Sequence, residues 1–213
     1  MSNDCDGSCI INRVGDLTAF ILAGGKSTRM GTDKAFLQLG GRTLLAHAME
    51  VARAVAGKVR IVGDAARFAS FGGVIEDVYG ERGPLGGIHA ALSATTTDLN
   101  LMLAVDLPFV ESRLLEYLIS QAQTSGAVVT VPRAGGGLQP LCAVYRREFG
   151  AIAERSLRAG KNKIDPLFTQ VETRVLEEAE LVHRGFAAEM FRNLNTPEDF
   201  ERASQKQGGT QAK

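Results

Sequence analysis

The sequence has no tryptophan and, among 213 residues, only 3 cysteines, 3 histidines and 3 tyrosines. An odd, small number of cysteines does not build a disulfide framework, and a reducing compartment is expected. Cys5 and Cys9 have no CxxC partner or nearby histidine to complete a metal site, and read as reduced thiols. The scattered histidines provide no zinc cluster and no Ser-His-Asp order for hydrolysis. Net charge is absent too, with 24 Lys plus Arg against 24 Asp plus Glu. That balance excludes a pervasive basic coat for nucleic acid or an anionic membrane, yet leaves room for a local basic pocket. No apolar run approaches the roughly 20 residues of a membrane span. Residues 1–9 are acidic and polar, without the apolar core of a secretory signal. A cytoplasmic protein is expected.

What is present is globular. Hydrophobic residues make up 45% and charged residues 23% of the chain, a composition that argues against disorder. Residues 1–16 and 205–213 are polar and read as tails, leaving one domain over 17–204 with no internal repeat or linker. Strand-like and helix-like segments alternate between them. Short apolar runs predict strands over 18–23, 58–63, 73–78, 100–105, 127–131, 141–145 and 173–176. Helical periodicity or start signals place helices over 42–56, 84–94, 147–158 and 197–203, with another starting at Glu111 or Ser112. Connections too long for hairpins imply parallel strands joined by right-handed crossovers. The expected fold is α/β: a three-layer α/β/α sandwich with a mostly parallel, Rossmann-like central sheet. Ligands in such sheets bind beyond the carboxyl ends of the strands, which draws attention to the glycine loop after the first strand and to Asp106 after the apolar 100–105 run.

The loop reads LAGGKSTRMGTDK from Leu22 to Lys34. Its glycines let the backbone approach a ligand closely, and successive N–H groups can cup an oxyanion. Lys26, Arg29 and Lys34 against Asp33 give the loop a charge of +2, suited to a polyphosphate. GxGxxG does not fit here. A P-loop would place its first glycine on Phe20, inside the strand. Hydride-transfer cofactors and standard NTPase loops are therefore unsupported.

LAGGKSTRMGTDK resembles the signature of the molybdenum cofactor guanylyltransferases. Further segments resemble that family in order: VIED from Val74, GPLGG from Gly83, VDLP from Val105, QPL from Gln139 and NLNTPE from Asn193. The resemblance spans about 18–203 and implies a nucleotidyltransferase fold. It also implies transfer of GMP from GTP to the phosphate of molybdenum-bearing molybdopterin, with release of pyrophosphate and formation of the guanine dinucleotide cofactor. The alternatives are a cytidylyltransferase acting on the same pterin and a sugar-phosphate nucleotidyltransferase. Ala23-Gly24-Gly25, where the related cytidylyltransferases typically have Ala-Ala-Gly, favours guanine. A non-catalytic carrier of the cofactor is the reading from a different class.

The resemblance also assigns roles. Leu22, Ala23, Gly24, Lys34, Asp77 and Asp106 are expected at the nucleotide. Arg29, Lys34 and Asp106 are the expected catalytic set, with Arg29 and Lys34 on the triphosphate and Asp106 on Mg²⁺, which carboxylate oxygens and substrate phosphates hold together. Gly83, Pro84, Leu85, Gly86, Asn193 and Asn195 are expected at molybdopterin. The family's nucleotide-contacting asparagine after the second strand is missing, and Gly63 or Asp64 stands in that region. Arg146, Arg147, Lys161 and Lys163 either attract the anionic substrate or form a solvated face. The expected partners are GTP and molybdopterin, with transient contact to cofactor-handling proteins and molybdoenzyme chaperones; a monomer is expected, with no nucleic acid and no membrane partner.

Overall fold

The computed structural model describes residues 17–24, 34–80, 82–194 and 196–208, excepting the side chains of 197 and 204–208. Lys26, Arg29 and Asn195 therefore lie outside the described residues. Strand β1 (Leu17–Leu22) is followed by a one-turn 3₁₀ helix (Lys34–Phe36) and a small antiparallel pair, β2 (Gln38–Leu39) and β3 (Arg42–Thr43). The chain continues through α1 (Leu44–Arg53), β4 (Lys58–Val62), α2 (Ala65–Phe68), β5 (Val74–Ile75), α3 (Pro84–Ala94) and β6 (Leu99–Ala104). Then come α4 (Ser112–Ser125), β7 (Val129–Ala134), β8 (Gly137–Leu138), β9 (Cys142–Arg146) and α5 (Phe149–Arg158). Last are β10 (Thr173–Leu176), α6 (Glu178–His183) and α7 (Pro197–Gly208), which carries helix into the segment read as a polar tail.

The central sheet has the order β10-β7-β9-β6-β1-β4-β5, with β8 attached to β7. Strands β1, β4, β5 and β6 run parallel, as do β7 and β10. The expectation of parallel pairing fails at β9, which lies antiparallel between β6 and β7. The cause is local. Gly135 and Gly136 take φ of 59° and 82°, making the two-residue turn that joins β7 to β8. Such a turn requires positive φ at both positions, which glycine adopts without a Cβ clash. The chain thus doubles back before β9.

Alternation along the strands sorts their side chains to two faces. Ala19, Ile21, Leu101, Leu103, Cys142 and Val144 join one core with Leu44, Leu45, Ala48, Leu114, Leu115 and Leu118 of α1 and α4. Phe20, Met102, Ala143 and Tyr145 join the other with Leu85, Ile88, Leu92, Phe149, Ala153 and Leu157 of α3 and α5. These are the three layers expected from the sequence. Each fully buried Leu, Ile or Phe contributes roughly 1.5–3 kcal/mol through removal from water.

Helix boundaries follow from their caps. The first helix begins later than residue 42, because Arg42 and Thr43 pair as β3 and the Thr43 hydroxyl accepts the Ala46 N–H at 3.1 Å. The third predicted strand shrinks to Val74–Ile75, with Gly73 at φ 60° before it. Helices α2 and α6 are too short for periodicity to reveal. No helix among the described residues is long and apolar enough to cross a membrane.

Candidate active site

Backbone bonds beyond the strand ends hold the parallel loops side by side. Ala23 N–H donates to Val62 at 2.9 Å, Gly63 N–H to Ile75 at 2.9 Å, and Val105 N–H to Leu22 at 3.2 Å. The ends of β1, β4, β5 and β6 therefore form one edge, where Leu22, Ala23 and Gly24 lie at the tip of β1. Gly24 is exposed there, so its backbone is open to a ligand.

Lys34 and Asp106, 72 residues apart, meet on this edge with Nζ 3.5 Å from Oδ2. Their side chains are only 19% and 22% exposed, so the charges interact in a partly desolvated setting. Asp106 occupies the turn just after β6, a strand buried along its whole length. That turn is tied to distant chain, because the Leu194 N–H donates to the Asp106 carbonyl at 3.1 Å. Leu194 is buried and Asn193 exposed, so NLN anchors itself by its central residue and places Asn193 next to the Asp106 turn. Thr196 and Asp199 close the motif by capping each other's backbone N–H at 3.1 Å, a reciprocal box that starts α7.

Asp77 follows β5, and its Oδ1 accepts the Tyr79 N–H at 2.9 Å. The carboxylate is seated against the first turn of α3 so closely that a Cβ on Gly86 would lie 2.2 Å from Oδ2. Gly83 caps this helix at φ 67°, followed by Pro84. A helix N-terminus attracts anions, and that of α3 already has a protein carboxylate beside it. Gly86 serves a close approach, and residues 83–86 are the cap and first turn of α3 against which Asp77 is seated.

At the position of the missing asparagine, a Cβ on Gly63 would come within 2.8 Å of the Phe68 ring. The Asp64 carboxylate caps α2, accepting the Ala66 and Arg67 N–H groups at 2.9 and 3.2 Å. The basic residues divide between opposite edges of the sheet. Arg146 aligns with Leu99 at the start of β6 and pairs with Asp98, whose carbonyl accepts the Arg147 N–H. Both arginines are therefore remote from Asp106. Helix α5 returns to the active edge: a Cβ on Gly150 would lie 3.3 Å from Leu92 Cβ near the end of α3, and one on Gly160 would lie 4.0 Å from Arg82 Nη1 just before its start. Lys161 and Lys163, both exposed, follow there. His89 is buried, with Nε2 3.2 Å from Ser93 Oγ and its ring edge-on to Tyr79. His183 is exposed at the end of α6.

Among the described residues no cluster of three or more His, Cys, Asp or Glu could enclose a metal. A single carboxylate with hard oxygen donors, beside a lysine, is instead the donor set of an ion that takes its remaining ligands from water and substrate phosphates. Asp106 fits Mg²⁺ in that manner.

An α/β sheet with an exposed glycine at the tip of β1, a lysine–aspartate pair and a second seated carboxylate on one strand edge is the frame of a nucleotide-handling enzyme. Residues 19–174 match the MobA-like NTP transferase domain, and the chain belongs to that nucleotidyltransferase family. It is 36% identical over 188 residues to a molybdenum cofactor guanylyltransferase of Syntrophotalea carbinolica, covering 87% of this chain and 89% of the relative. A probable molybdenum cofactor guanylyltransferase of Pelotomaculum thermopropionicum is 37% identical, with 87% and 91% covered. Molybdopterin-guanine dinucleotide biosynthesis protein A of Archaeoglobus fulgidus is similar in structure. The TM-score is 0.79 at 25% identity, and 90% of this chain and 99% of that one are covered.

Proposed function

We propose that this protein is a Mg²⁺-dependent guanylyltransferase that moves GMP from GTP to the phosphate of molybdenum-bearing molybdopterin. An oxygen of the pterin phosphate attacks the α-phosphorus of GTP in line. The new O–P bond forms as the bond to the bridging oxygen of the β-phosphate breaks, and pyrophosphate leaves with that electron pair. The products are the guanine dinucleotide form of the cofactor and pyrophosphate. The observation that carries this reading is the Lys34–Asp106 pair at the tip of β6, in a chain whose guanylyltransferase relatives match most of its length.

Both reactants are anions, so the protein's task is neutralisation and alignment. Lys34 brings its ammonium to the triphosphate, and Arg29 is assigned there with it, its guanidinium suited to bridging two oxygens. Leu22, Ala23 and Gly24 present backbone groups to the nucleotide, and Asp77 binds it from beyond the end of β5, two strands along the sheet. Asp106 would hold Mg²⁺, which neutralises phosphate charge when bound. Residues 83–86 with Asn193 and Asn195 are assigned to molybdopterin, and Lys161 and Lys163 add positive charge at that edge. One domain over 17–204, working as a cytoplasmic monomer that meets cofactor-handling proteins and molybdoenzyme chaperones, completes the reading.

Purified protein with Mg²⁺ and molybdopterin is expected to release pyrophosphate preferentially with GTP over CTP and ATP. Preference for CTP overturns the guanine assignment, and absence of turnover with every nucleotide favours a carrier. Omission of Mg²⁺ with chelator present is expected to abolish release.

A further inference from the structure

We propose that Arg192 binds the phosphate of the acceptor substrate beside Asp106, an inference that rests on the reading of this edge as the site of GMP transfer. The segment before α7 lies along the turn after β6 and is fixed to it at both ends. Leu194 donates its N–H to the Asp106 carbonyl at 3.1 Å, and the Arg192 guanidinium lies over the Phe109 ring at 5.0 Å. Residues 192–194 thus run antiparallel to residues 106–109. Arg192 is extended, at φ −74° and ψ 117°, and its N–H donates to the Glu189 carbonyl at 3.1 Å. Its backbone is therefore set before any ligand arrives.

The protein makes no polar use of this guanidinium. The other half-buried arginines among the described residues each give their side chain to a protein oxygen: Arg60 to the Gly73 carbonyl, Arg133 to Glu177, Arg146 to Asp98 and Arg174 to Glu180. Arg192 makes no hydrogen bond or ion pair among the described residues, and its Nε is buried with no partner. Buried donors are almost always bonded, so an exception calls for a role. A guanidinium resting on a ring keeps its in-plane donors free. Lys34 and Asp106 offset each other at 3.5 Å, which leaves Arg192 as uncompensated positive charge on the same turn. A phosphate monoester carries a charge of roughly −1.5 to −2 near neutral pH, and a guanidinium fork matches two of its oxygens. Asn193, assigned to molybdopterin, is the next residue, which puts this charge on the acceptor's side of the site. In-line transfer brings two anions together, and a cation carried on the Asp106 turn offsets their repulsion.

The test compares wild type with Arg192→Gln and Arg192→Lys. Dissociation constants are measured for metal-free molybdopterin and for its dephosphorylated form by pterin fluorescence, and for GTP by calorimetry, together with GMP transfer and the thermal melt. Wild type is expected to prefer molybdopterin to the dephosphorylated form. In Arg192→Gln that preference should collapse, with molybdopterin binding weakened about 30-fold, as for loss of hydrogen bonds to a charged group. Affinity for GTP and for the dephosphorylated form should change by no more than about twofold, since neither presents the acceptor phosphate. Arg192→Lys, which keeps the charge without the fork, should lose about five- to tenfold. Wild-type molybdopterin affinity in Arg192→Gln overturns the proposal. Equal losses for both pterin forms, tracking a lowered melt, also overturn it, because they mark a merely structural arginine. A loss confined to GTP assigns Arg192 to the triphosphate and overturns it as well. The underlying reading fails separately, if wild type transfers no GMP to molybdopterin; the ratio between the two pterin forms then still decides whether Arg192 binds the phosphate. Wild type that binds neither form overturns both.

Discussion

Replacing Asp106 by Asn removes one charge while keeping shape, and so isolates what the carboxylate does. Two unit charges 3.5 Å apart attract by about 4–5 kcal/mol at an effective dielectric of about 20. Desolvation of both groups and the ordering of the lysine offset most of this, and each side chain keeps about a fifth of its exposure. The net loss of stability in Asp106→Asn is therefore about 1 kcal/mol, a fall in Tm of about 2–4 °C for a domain of this size. Turnover should suffer far more. Loss of a charge that holds the metal against the reacting phosphate is expected to lower kcat about 10³-fold, equivalent to about 4 kcal/mol of barrier. Lys34→Met should produce a loss of similar order. If the pair acts as one unit, the double variant will be little worse than either single one. Pyrophosphate release under saturating GTP gives kcat, and calorimetric melts give Tm. A decrease in kcat of less than about tenfold with the fold intact would refute the assignment, because binding alone would then explain the carboxylate. A large drop in Tm paralleling the lost activity would equally refute it, since the pair would be structural.

Gly86→Ala should destabilise by about 1 kcal/mol. A methyl 2.2 Å from Asp77 Oδ2 costs roughly 1–3 kcal/mol of overpacking, against about 1 kcal/mol gained by alanine in a helix. Adding Asp77→Ala should recover the melting temperature, and a single variant that melts at or above wild type would disprove the tight seat. His47 is held below its ordinary value of 6.5, mainly by burial. As pH falls through 6.5 the unfolded chain gains a proton that the folded chain resists, so stability is lost on the acid side. Urea melts of His47→Asn should show a shallower decline between about pH 6.5 and 5, and an unchanged slope would count against it. Burial pushes the Cys142 thiol up to about 12, so peptide mapping after iodoacetamide at pH 8 should find it unmodified in native protein and alkylated in denaturant.

Much of the fold was legible because local pattern and long-range packing demand the same residues. Apolar runs such as 100–105 had to be strands buried on both faces, and the face Leu44, Leu45, Ala48 had to be a helix against them. Asp106 and the glycine loop stood out because strand carboxyl ends are where ligands bind in such sheets. The antiparallel β9 was not visible from alternation, which counts elements but does not record a two-residue glycine turn reversing the chain. Arg146 and Lys161 looked alike as sequence, and only the register of β9 on β6 puts one at the start of β6, while the direction of α5 carries the other to the opposite edge.

The sequence by itself determined the layers, the glycine-rich motif after the first strand and the family, since these depend on periodicity and contiguous motifs. Only the tertiary structure decided which distant groups meet: Lys34 with Asp106, Asp77 against Gly86, and Leu194 on the Asp106 carbonyl. Contacts between residues dozens of positions apart depend on strand order and helix direction, and neither is written in any local stretch of chain.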